Sequence, residues 1–169
     1  SGPGIKRSDP DFYAAYVLNY ILGGGSFSSR LTDDVREKRG LTYGIGTGLS
    51  IQPHFWRWQG SSATMNDKAD EVVQLIRENI AKLGSEGPTA EELADAKAYI
   101  TGAFPLAFDS NTKIAQNLIG FRQDGMPADY VQVRNSYFEA VTLEDVKRVA
   151  RTYMKPEDFT FVMVGKPTD

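Results

Sequence analysis

The sequence predicts an α+β domain in which helices layer on a mostly antiparallel sheet. Two observations carry that expectation. Adjacent strand-like runs, Tyr43–Ile51 and Phe55–Thr64, form a hairpin early in the chain, and another apolar run, Phe159–Val164, closes it. Between them lies a long block with the three-to-four-residue apolar spacing of helices. Strands segregated from a helical block give α+β rather than an alternating parallel sheet. With 169 residues the chain makes one domain, and 41% apolar and 24% charged residues are an ordinary globular composition.

Each element has a local reason. Ser8-Asp9-Pro10 opens the first helix, because Ser or Asp can cap and Pro suits the first helical position. From Phe12 to Leu22 apolar residues occupy almost every face, so this helix is buried on most sides, and Gly23-Gly24-Gly25 ends it. A second helix begins near Ser26–Ser29, runs through Arg36 and stops at Gly40. In Tyr43–Ile51 the residues Tyr43, Ile45, Thr47, Leu49 and Ile51 share one face, while Gly44, Gly46, Gly48 and Ser50 share the other. Glycine weakens a strand, so a bare face implies that something approaches it closely. Gln52-Pro53-His54 is the turn, and the returning strand carries Trp56 and Trp58 on one side.

Ala69, Val72, Val73, Ile76, Ile80 and Leu83 make one helical stripe, which Gly84-Ser85-Glu86-Gly87-Pro88 breaks. Thr89 and Glu92 have capping-box spacing ahead of Leu93, Ala96, Ile100 and Phe104, and Pro105 kinks or ends that helix. Further helices cover 111–123, 128–140 and 142–154. Phe159–Val164 reads as the last strand.

Composition excludes several functions. There are no cysteines, so thiol nucleophiles, disulfides and thiolate metal sites are absent. The single histidine, His54, cannot supply either zinc-protease signature, H-E-x-x-H or H-x-x-E-H, since both need two. In the turn beside Pro53 it is expected to be a solvent-exposed residue. A net charge of −3 without a basic block argues against nucleic acid or an anionic membrane as partner. No apolar run approaches the ~20 residues of a spanning helix. The opening Ser1-Gly2-Pro3-Gly4 reads as a cut end.

Gly23-Gly24-Gly25-Ser26-Phe27-Ser28 is neither a nucleophile elbow nor a phosphate loop, and reads as a helix stop feeding the next cap. Gly44–Gly48 lacks the spacing and the following helix of a dinucleotide fingerprint. The segment Ser28–Gly44 differs in kind. Its charged helix end passes through Gly40 into a strand, with Arg36 and Tyr43 seven residues apart across the junction. An Arg and a Tyr converging there supply donors to a polarised carbonyl oxygen. The same charges equally make a surface salt-bridge cluster.

From Pro3-Gly4-Ile5 through the glycine turn, Arg36–Tyr43, Thr89–Leu93 and Val141–Met154, the chain resembles the pitrilysin/insulinase family of inverted zinc peptidases. That family includes mitochondrial processing peptidase and the core proteins of the respiratory bc1 complex. The similarity is to the second, non-catalytic domain of the bacterial members, and its specific part is Leu31–Tyr43. The resemblance implies that residues 1–169 are one C-terminal domain of a larger protein, of the half-domain fold of such metallopeptidases. It implies a sister domain, in the same chain or in a homo- or hetero-dimer, that carries the H-x-x-E-H zinc. An extended peptide would be enclosed between the two, with Arg36 and Tyr43 reaching the scissile bond and no zinc bound by this chain. It also favours an exported, periplasmic setting over a cytoplasmic one. Two alternatives remain: a structural domain like the respiratory core proteins, and a free-standing module that takes peptide as an added strand.

Overall fold

The early hairpin forms a twisted antiparallel ladder in the computed structural model, which describes residues 1–25, 28–52 and 54–165. Strands β2 (Thr42–Gln52) and β3 (Phe55–Thr64) pair from Gln52↔Phe55 to Thr42↔Thr64. The short β1 (Gly2–Pro3) pairs with Trp58 and Arg57 on the other side of β3, giving the order β1-β3-β2. Pro53, in the expected turn, lies outside the described residues.

Among the described residues there are six α-helices: α1 (Phe12–Asn19), α2 (Ala69–Glu86), α3 (Ala90–Gly102), α4 (Asn111–Gln123), α5 (Tyr130–Glu139) and α6 (Leu143–Tyr153). Helix α1 continues as a wider π-helical turn over Tyr20–Gly24. A second π-helical segment spans Thr32–Glu37. The start expected near Ser26–Ser29 lies partly outside the described residues.

The core joins the inner side of the hairpin to the helices. Val17, Leu18, Leu22, Leu31, Val35, Leu83, Val146 and Val149 are buried, with Ile45, Leu49 and Ile51 packed against them. The alternation of β2 thus holds from Ile45 onward. Trp58, expected in the core or an interface, is buried, and its indole N–H donates to Asn19 Oδ1 at 2.7 Å. A buried Trp needs that acceptor.

The first helix starts later than expected: Ser8 and Asp9 do not cap it, and α1 begins at Phe12 with Asp11 as its N-cap. Helix α2 ends within the expected break Gly84–Pro88, at Glu86, with Gly87 as its C-cap. Gly84 is there for contact, since a Cβ would sit 2.1 Å from the Met154 carbonyl oxygen. The helix from Ala90 ends at Gly102, and Phe104–Phe108 forms a tighter 3-10 turn around Pro105. Phe159–Val164 is not a strand. It holds one reciprocal backbone pair, Ser1 N to Thr160 O and Thr160 N to Ser1 O, both 2.8 Å. A ladder needs a neighbour along its length, and β1 is too short to be one. A cavity of about 440 Å³ therefore lies between Phe161–Val164 and the stretch Gln59–Ala63 of β3.

Candidate functional site

The junction between the Thr32–Glu37 segment and β2 is built by a sharp reversal. Gly40 takes φ +62, the left-handed conformation that costs glycine least. The Gly40 amide donates to Arg36 O at 2.9 Å, and the Leu41 amide donates to Val35 O at 3.0 Å. These bonds satisfy carbonyls at the helix end and turn the chain back beside Arg36.

Tyr43 is placed by a β-bulge. Thr42 faces Thr64 and Gly44 faces Ala63, so Tyr43 is the additional residue on its strand. Thr42 holds the irregularity: its buried Oγ1 lies 2.7 Å from Ala63 O and 2.8 Å from Gly44 O, and it accepts the Gly44 amide at 3.1 Å. Ser62 donates to the same oxygen at 3.0 Å, and Thr64 Oγ1 donates to Leu41 O at 2.5 Å. As a result Tyr43 leaves the packed face of β2 and is 91% exposed.

Arg36 and Tyr43 do come together. The Arg36 guanidinium carbon stands 5.4 Å from the Tyr43 ring centroid, within cation–π range, and its Nε lies 3.5 Å from Glu37 Oε1. Around them the charges pair off: Lys38 with Asp33 at 2.5 Å, and Arg39 with Asp34. Arg30 is taken by Glu92 through two bonds of 2.6 and 2.8 Å. The salt-bridge reading therefore holds for the flanking charges and, through Glu37, for Arg36, which also lies against the Tyr43 ring. Gly44 and Gly48 have no atom within 4 Å of where a Cβ would stand, which leaves bare backbone next to Tyr43. The supports Thr42, Ser62 and Thr64 escaped the sequence reading; their signal was the hairpin's uneven count of residues.

His54 is exposed in the turn, as expected. Among the described residues no group of three or more His, Cys, Asp or Glu is placed to hold a metal ion. The donor set does not fit a zinc site.

A family model described as "Peptidase M16 inactive domain" matches residues 1–100. A Bacillus subtilis protein called "Uncharacterized zinc protease YmxG" is 30% identical over 163 residues, 96% of this chain and 39% of its own. The Helicobacter pylori "Non-peptidase homolog YmxG" is 26% identical over 163 residues, 95% of this chain and 37% of its own. A crystal structure of a peptidase M16 inactive domain from Pseudomonas fluorescens superposes with a TM-score of 0.81 at 31% identity, covering 92% of this chain and 37% of that one. The chain thus spans about two fifths of the relatives it matches.

Proposed function

The chain belongs to the peptidase M16 inactive-domain family, and on that premise we propose that it is the accessory, substrate-orienting half of a zinc endopeptidase. In this reading it is the C-terminal domain of a longer protein or subunit, and a sister domain supplies the metal. The observation that carries the proposal is the junction itself: an arginine and a 91%-exposed tyrosine in contact, held out on a bulge beside bare strand backbone.

An extended peptide lying along that edge meets two donors. The Arg36 guanidinium and the Tyr43 hydroxyl reach for the scissile carbonyl oxygen, which gains negative charge as the carbon becomes tetrahedral. Donors fixed before the reaction stabilise that charge without reorganising. In the complete protein, Arg36→Ala and Tyr43→Phe should each lower kcat/KM by about 10²-fold, largely through kcat, as removal of one such donor does. Unchanged peptide hydrolysis in both variants would refute the assignment.

A second reading has its own support. One relative is named a non-peptidase homolog, and in this reading the domain serves in assembly alone. Under that reading the complete protein shows no hydrolysis to lose, and both variants instead alter only association with the sister domain.

A further inference from the structure

The cavity between α1, α3 and α5 holds two guanidinium groups that lack a carboxylate partner. It measures about 590 Å³, a size suited to a residue-sized ligand. It opens near Leu49 and Ile51 of β2, about 20 Å along the strand from Tyr43.

Arg134 lies one helical turn from both Tyr130 and Phe138 on α5. Its guanidinium carbon is 4.1 Å from the Phe104 centroid and 4.4 Å from that of Phe138. Its Nη1 donates to Ile100 O at 3.2 Å and Asn135 Oδ1 at 3.0 Å. Arg7 stacks 4.0 Å from the Phe12 centroid and donates from Nη2 to the Tyr130 hydroxyl at 2.6 Å. Among the described residues, no Asp or Glu is within ion-pair distance of either guanidinium. Asp124 on the cavity wall is exposed and pairs with neither.

The tyrosine adds a third donor. Burial above all pushes Tyr130 up to about 12, so it keeps its proton at neutral pH. Its oxygen accepts from Arg7 and lies 3.4 Å from the Tyr13 hydroxyl, leaving its own O–H to donate. Burial lowers the Arg134 pKa, opposed by the neighbouring tyrosines and assisted by the charge of Arg7. Aromatic faces offset part of the cost of two half-buried cations. They do not use the in-plane donors of the guanidinium fork, whose natural partner is a carboxylate.

We propose that this cavity binds a carboxylate attached to an aromatic or large apolar body, of which the free C-terminal residue of a peptide is the fitting example. The rings take the body, and Arg7, Arg134 and Tyr130 take the head. The site shares no residue with the Arg36–Tyr43 edge and stands independently of the reading given for it.

The test is an NMR titration of the chain with N-acetylphenylalanine, its neutral amide, and the α-amide of N-acetylaspartate. N-acetylphenylalanine should bind with Kd about 1 mM or tighter, the scale expected for a ligand of this size. The neutral amide should bind at least about tenfold more weakly, as befits loss of a charge-assisted pair. Comparable binding of the aspartate derivative would overturn the aromatic-body part and leave an acidic side chain as the ligand. Arg7→Gln should weaken the acid about tenfold while leaving the amide unchanged. Arg134→Lys, which keeps the charge but loses the fork, should also weaken it, with thermal melting confirming the fold of each variant. Equal binding of acid and amide, or unchanged binding in both variants, would overturn the proposal.

Discussion

Tyr43 makes few contacts that hold the fold together, and that separates its role from stability. It is 91% exposed on a bulge whose hydrogen bonds belong to Thr42, Ser62 and Thr64. Tyr43→Phe should change unfolding free energy by no more than about 0.5 kcal/mol in a denaturant titration. Any loss of hydrolysis is then a loss of function. Arg30 behaves oppositely. Its fork is bound by Glu92, and both side chains are mostly buried, so Arg30→Ala should destabilise by about 1–3 kcal/mol. Burial works to raise the Glu92 carboxyl, but the bonds from Arg30 and Thr89 outweigh it and hold the group below its ordinary 4.5. The pair's stabilisation is therefore full above that value and is lost as pH falls through the lower folded one. Acid melting curves should show this loss, and Arg30→Ala should flatten it. Sequence spacing could place Arg36 beside Tyr43 because only six residues, Gly40 among them, lie between the two. It could not place Arg30 against Glu92, because that pair closes across 62 positions.

At the scale of elements, the Thr89–Glu92 box was legible and is present, with Thr89 accepting the Glu92 amide at 3.1 Å and Glu92 accepting the Thr89 amide at 2.7 Å. The Thr142–Asp145 box went unread: the Thr142 side chain accepts the Asp145 amide at 3.2 Å and Asp145 accepts the Thr142 amide at 3.0 Å. Bonds from the Thr142 hydroxyl and amide, then from Arg148, hold Asp145 at about 2 against an ordinary 3.8. Its contribution is present above pH 3.8 and disappears toward pH 2. Amide signals at the start of α6 should broaden in that window, and Thr142→Ala should cost about 1 kcal/mol at neutral pH. Gly84 illustrates the opposite case. Glycine inside a helix is worth about 1 kcal/mol less than alanine, so local propensity favours Gly84→Ala. Yet the new Cβ would meet the Met154 carbonyl at 2.1 Å, an overlap with backbone that costs about 1–3 kcal/mol. Gly84→Ala should lower the melting temperature. The stop expected over Gly84–Pro88 falls at Glu86–Gly87, and the packing demand on Gly84 could not be read locally, since the partner that makes it arrives 70 residues later.

For the molecule as a whole, the helical layer was visible because each helix carries its own periodicity, while the sheet depends on partners. The hairpin supplies both of its strands and was correctly placed. The apolar run Phe159–Val164 has every local mark of a strand but, among the described residues, a reciprocal backbone pair with Ser1 alone. That run and Gln59–Ala63 both line a void of about 440 Å³, so neither stretch is laddered to the other across it. Amide exchange should show this: hydrogens on β3 that point away from β2 between Gln59 and Ala63 should be replaced by deuterium far sooner than those directed into the hairpin. Such a rim is adhesive, and at high concentration it is where one copy of the chain would zip onto another.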